Sequence, residues 1–165
     1  KTIACQTCHI PKYAVRTPVI ISWNWLLTGK TSEVFQQTAD HRARLKDQNG
    51  FTLASEIEPV YRWDNGSDQV YQRGRRIRPG EVTPLQRPSD RSSASRIAPF
   101  RAVYGTQLYD AKYRYLISPL LSSKGVSLFS TADWNTVARQ GMSALRLPYS
   151  GTFGFTPTVT YRRIN

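Results

Sequence analysis

KTIACQTCHIPKYA, residues 1–14, places Cys5, Cys8 and His9 within five positions of a 165-residue chain that holds two cysteines and two histidines in all. Three of those four residues crowded together ask for a chemistry that uses each of them. A structural zinc site takes about four ligands, usually as two cysteine or histidine pairs. Here the only further candidate is the distant His41, and His9 is poorly placed to share an ion with the adjacent Cys8. A thioredoxin-like redox pair opens a helix after a strand in a βαβ frame, and no such frame surrounds these cysteines. A plain disulfide or two free thiols is the simplest alternative, and it leaves His9 without a part.

The fourth chemistry is covalent haem attachment, for which Cys-x-x-Cys-His is the pattern. Cysteines one short turn apart hold the two vinyl groups as thioethers, and the next residue is delivered to the iron as proximal axial ligand. On this reading the chain carries one haem c, bound through Cys5 and Cys8, with His9 on the iron. His41 is then the candidate distal ligand, or a ligand to the haem of a partner chain; its alternative is a solvent-facing helix residue. Met142 could ligate instead, although its place beside the apolar face of the last helix favours core packing.

Outward from the motif, Gly and Pro together fill 20 positions, and apolar residues make up 39% of the chain. Apart from the interval between Pro18 and Pro59, few stretches could hold a long regular element without meeting a proline. The expected fold is therefore one domain over residues 1–165, mostly irregular and haem-wrapping, with a few short helices and minor hairpin strands. Thr31 or Ser32 can cap a helix running to about Lys46, with Glu33 in its first turn and a thin apolar face of Val34, Phe35 and Leu45. VYRWDNGSDQVY reads as a hairpin about Asn65-Gly66. The clearest helix covers about 131–146, capped by Ser130 or Thr131, with Trp134, Val137, Ala138, Gly141 and Leu145 on one face and Pro148 blocking its continuation. The tail from Tyr149 reads as Gly-punctuated extended chain.

The net charge is +12, and eight arginines fall between Arg73 and Arg101 against Glu81 and Asp90. Such an excess points to anionic partners or bound carboxylates. The region 72–101 is expected to be an Arg-rich loop, either simply solvated or contacting haem propionates on this chain or on partners, since Arg pairs bidentately with carboxylates. Trp23, Trp25, Tyr61 and Trp63 could line a haem face or belong to an ordinary core. No apolar run approaches the ~18 residues that span a bilayer. The sequence begins at Lys1 rather than Met, as a processed chain or a piece of a longer one would.

CQTCHIPKYA, then SWNWLLTGK, EPVYRWDNGSDQVYQRG, IAPFRAVYGTQLYDAKYRYLISP and ADWNTVARQGMSALRLPYSGTFGF occur in the order in which similar blocks occur in the octahaem tetrathionate reductase family of multihaem c-type cytochromes. By these blocks the chain resembles that family over most of its length. The resemblance implies a periplasmic or extracellular redox protein in which electrons pass along closely packed haems. It implies partner haems, on other chains or on copies of this one, and redox partner proteins. Some members of the family reduce tetrathionate, nitrite or hydroxylamine at a lysine-ligated haem. That lysine segment and seven of the eight family haem motifs have no counterpart here, so the resemblance implies an electron-transfer segment or subunit, with enzymatic activity undecided.

Two rivals belong to other classes. VYRWDN is similar to the arginine-bearing strand of toxin-type ADP-ribosyltransferases, but no Asp or Glu follows Asp133 to act as the general base. A basic nucleic-acid-binding module would use the interleaved Arg and Tyr. It matches no reader motif and leaves CQTCH unexplained.

Overall fold

The computed structural model describes residues 2–27, 34–37, 44–48, 50–123, 126–127 and 133–164. Among these residues, nine strands form one mixed sheet, in the order β2 (Val34–Gln37), β3 (Arg44–Gln48), β4 (Phe51–Ala54), β1 (Val19–Asn24), β8 (Arg96–Asp110), β11 (Phe153–Arg163), β7 (Thr83–Pro88) and β6 (Asp68–Val70), with β5 (Val60–Asp64) also paired to β8; β9 (Ser122–Ser123) and β10 (Val126–Ser127) pair apart from it. Its spine is the antiparallel pair of β8 (Arg96–Asp110) and β11 (Phe153–Arg163), in register from Phe153 opposite Asp110 to Arg163 opposite Phe100. The opposite edge of β8 serves two partners in succession. β5 (Val60–Asp64) runs antiparallel along Arg96 to Phe100, and β1 (Val19–Asn24) runs parallel along Tyr104 to Thr106. Beyond β11 lie β7 (Thr83–Pro88), parallel to it, and β6 (Asp68–Val70), antiparallel to β7.

This sheet overturns the expectation of a mostly irregular, haem-wrapping chain. Several of the prolines that argued against regular structure sit where a strand tolerates a missing N–H. Pro59 precedes β5, Pro88 ends β7, and Pro157 lies one residue before β11 begins to pair with β7 at Thr158. The Arg-rich region 72–101 is likewise not all loop, because it contains β7 and the start of β8.

Two further local expectations fail. Within the helix expected from Thr31 or Ser32 to Lys46, the described residues instead form β2 (Val34–Gln37) and β3 (Arg44–Gln48), which pair antiparallel, and the rest of that span lies outside the described residues. β3 continues onto β4 (Phe51–Ala54), which pairs with β1, so the open sheet edge outcompetes the weak helical preference of the segment. The turn at Asn65-Gly66 exists, with Gly66 at φ +88° and its N–H donating to Asp64 Oδ1 at 2.9 Å. Its flanking strands nevertheless do not pair with each other: β5 joins β8 and β6 joins β7.

Arg163, near the end of β11, explains the separation of β5 from β6. Its Nε and Nη2 donate to Asp64 Oδ2 and Oδ1, each at 2.7 Å, and Nη2 also lies 2.9 Å from Asp68. One guanidinium thus ties the ends of β5 and β6 to β11. The Arg163 hydrogen bond holds the Asp64 carboxyl below the usual carboxylate range. A depressed carboxylate pKa contributes stability that is complete above the unfolded value, roughly 4, and is lost as pH falls through the folded value. Wild type should therefore lose urea stability below about pH 4 more steeply than Arg163→Met. Parallel losses in the two proteins would contradict this.

The core lies over the second half of β8, where Trp25, Leu108, Tyr115, Ile117, Ala138 and Met142 cluster. Of the α-helices among the described residues, α1 (Cys5–His9) lies at the start of the chain, and α2 (Trp134–Ala144) covers this cluster with Val137, Ala138, Gly141 and Met142. Its cap is Asp133, which accepts from Asn135 N–H at 2.9 Å; Ser130 and Thr131, the caps expected from the sequence, lie outside the described residues. Gly141 permits the close approach: a Cβ there would lie 1.9 Å from the Ser118 carbonyl oxygen. Met142 has no exposure, so it acts as core.

Candidate haem-attachment site

CQTCH forms α1, a single helical turn attached to the start of β8. The attachment is mostly backbone. Ile97 N–H donates to Thr2 O at 2.8 Å, Ala4 N–H donates to Ile97 O at 2.9 Å, and Ile3 bridges Ile97 in parallel. This is the edge of β8 that β11 serves farther along, from Phe100 onward. The N-terminal segment therefore continues the sheet where β11 ends.

Thr7, between the two cysteines, donates its hydroxyl to Ile97 O at 2.8 Å. That bond turns the Thr7 face of the one-turn helix toward the sheet. Cys5 and Cys8, three residues apart, share another face. Both are free thiols and exposed, as is His9. Downstream, Tyr13 and Ile57 exchange backbone hydrogen bonds of 2.9 and 3.0 Å, fixing the chain as it leaves the turn.

Thr2, Ile3, Ala4, Cys5, Cys8 and His9 border an open depression of about 400 Å³. Register places Ile3, Ile97 and Trp63 abreast across three neighbouring strands, so their side chains share one face of the sheet. Ile3 is 49% exposed. The Arg91 guanidinium lies 3.9 Å from the Trp63 ring centroid. Among the described residues, no three His, Cys, Asp or Glu side chains are grouped to share a metal ion.

These features suit a haem c. Two accessible thiols on one face of a fixed turn can each form a thioether, an exposed imidazole follows directly, and an exposed apolar residue lies beside them. Sequence reasoning missed Ile3 and Ile97, because their alignment with Trp63 depends on pairing across more than ninety residues. Of the aromatics considered from sequence, Trp23 and Trp25 stack on each other at 4.0 Å and belong to the core. Tyr61 is 44% exposed on β5. His41 lies outside the described residues.

Comparison with known proteins gives a consistent picture. The family model described as "Cytochrome c bacterial" matches residues 20–165, so the CQTCH turn precedes the matched region. The crystal structure of octaheme cytochrome c from Shewanella oneidensis is similar at 31% sequence identity with a TM-score of 0.85. That match covers 99% of this chain and 39% of the Shewanella chain. No curated protein matches. Among the described residues, no helix is long and apolar enough to cross a membrane. Cytochrome c membership implies covalently bound haem c, and the octaheme relative agrees with the multihaem resemblance in the sequence. The chain belongs to the bacterial cytochrome c family, among the multihaem c-type cytochromes.

Proposed function

We propose that this chain transfers electrons through one haem c, held by thioethers to Cys5 and Cys8 with His9 as the proximal axial ligand. The observation that carries the reading is the outward face of α1, which presents two free thiols and an imidazole from a turn fixed to β8. When bound, haem c supplies a one-electron iron couple. The residues of the chain hold and orient it: Thr7 and the Thr2–Ala4 backbone set the direction of the turn, and Ile3 offers an apolar surface beside it.

Partner haems complete the path, on other cytochrome chains or on further copies of this one, because a single redox centre conducts only to another within reach. The octaheme relative, of which this chain spans 39%, supports that arrangement. We assign the working location to the periplasm or the outside of the cell, in keeping with the exported character of bacterial c-type cytochromes. Reduction of tetrathionate, nitrite or hydroxylamine would belong to a larger assembly that supplies a lysine-ligated haem.

The His9→Ala chain tests the assignment. It should keep its covalent haem through the two cysteines, show an altered reduced spectrum, and recover much of the native spectrum on addition of imidazole. A reduced spectrum identical to that of the native protein would remove His9 from the iron.

A further inference from the structure

A second concave site lies on the opposite flank of β7, between β6, β7 and the segment from Tyr71 to Val82. It encloses about 330 Å³, and its lining includes the guanidinium-bearing residues Arg75, Arg76, Arg78 and Arg87 against a single carboxylate, Glu81. Glu81 lies 3.7 Å from Arg78, but both side chains are largely in solvent, and exposed pairs of this kind hold weakly. Arg87 is engaged by Asp90 at 2.8 Å. Among the described residues, Arg75 and Arg76 have no carboxylate partner. The cleft thus carries positive charge that the chain itself does not neutralise.

The segment bearing these arginines is held firmly in place. Gly74 and Gly80, at φ +81° and +88°, make its turns, closed by Arg75 N–H to Gln72 O at 3.0 Å and Glu81 N–H to Arg78 O at 3.1 Å. Tyr71 donates its hydroxyl to Arg75 O at 2.5 Å and accepts from Leu116 N–H at 3.1 Å. Ile77, between Arg76 and Arg78, is buried and donates its N–H to Arg114 O at 2.6 Å. Like-charged side chains on a loose loop would spread apart; here their backbone is fixed on one side of a cleft. The lining also includes two exposed apolar residues, Val70 at 62% and Val82 at 55%.

We propose that this cleft binds paired carboxylates carried on an apolar body, with Arg75 and Arg76 as their principal partners. The planar guanidinium fork matches a carboxylate bidentately, and Val70 and Val82 meet the apolar part. The volume is at the small end of the ~300–1,000 Å³ range of ligand sites, so it admits one edge of a large ring rather than the whole. The propionate edge of a haem on a neighbouring redox chain has this chemistry, and in naming that source the inference rests on the electron-transfer reading above. A free oxyanion shares the charge without the apolar body.

The test is a titration of the holo chain with zinc protoporphyrin IX, followed by porphyrin fluorescence, in parallel with its dimethyl ester and with inorganic phosphate as competitor. Binding of the free acid should weaken at least about tenfold in Arg75→Ala with Arg76→Ala, and a comparable loss should attend esterification. The charge-matched pair Arg16→Ala with Arg139→Ala should bind like wild type. Equal affinity for acid and ester, or no loss in the Arg75 and Arg76 variant, would overturn the site. Phosphate displacing the porphyrin at concentrations as low as its own would overturn the porphyrin source and assign the cleft to a free oxyanion. Intact mass of the same sample reports haem attachment separately, so failure of the electron-transfer reading would be distinguishable from failure of the cleft.

Discussion

Replacing both thiols, Cys5→Ser together with Cys8→Ser, is expected to abolish covalent haem while leaving the sheet in place. Neither thiol contributes to the core: both are exposed and free, and the turn that carries them is held by backbone bonds to Ile97 and by the Thr7 hydroxyl. Isosteric exposed substitutions of this kind change intrinsic stability by no more than about 0.5 kcal/mol. The far-UV circular dichroism of the variant should therefore keep its β character, while the denatured chain loses the mass of one haem. Each single variant should retain one thioether, and so its haem. A double variant whose haem still survived denaturation would place the attachment elsewhere.

Removal of the Asp110 carboxylate should cause the largest loss of stability. Asp110 ends β8 with no exposure. Its Oδ1 accepts from Lys112 N–H at 2.9 Å and Tyr113 N–H at 2.8 Å, and its Oδ2 accepts from Ser150 N–H at 2.7 Å. One side chain thus closes the turn after β8 and joins it to the segment that leads into β11. The Tyr115 hydroxyl reinforces the same junction by donating to Pro148 O. Asp110→Ala would leave three backbone donors without their acceptor, at a cost of about 3–5 kcal/mol, a large share of the stability of a small domain. Asp110→Asn keeps the shape and one acceptor oxygen, and should cost less. Urea unfolding of the three proteins measures this. A shift below about 1 kcal/mol for Asp110→Ala would show that the junction holds without the carboxylate.

The parts legible in the sequence are those whose physics is local. CQTCH concentrates its candidate chemistry in five consecutive residues, so the proposal made for it does not depend on the fold. α2 was legible because the spacing of Val137, Ala138 and Gly141 and the stop at Pro148 are properties of one segment. Its cap was misplaced because Ser130, Thr131 and Asp133 all offer a suitable oxygen. The sheet was not legible, since β8 takes its partners from residues 19–24, 60–64 and 153–163, and nothing within β8 specifies them. The hairpin expectation failed for the same reason. The Asn65-Gly66 turn formed, yet Arg163, almost a hundred residues away, binds Asp64 and Asp68 and ties both strands to β11. The prolines misled because their effect depends on which strand edge they face, and that too is a matter of pairing.

The most direct test of the central claim is an absorption spectrum of the native protein, oxidised and dithionite-reduced, taken with its intact mass after denaturation. Covalent haem at Cys5 and Cys8 predicts sharp c-type bands on reduction and the added mass of one haem on this chain. A colourless protein of unmodified mass would contradict the account.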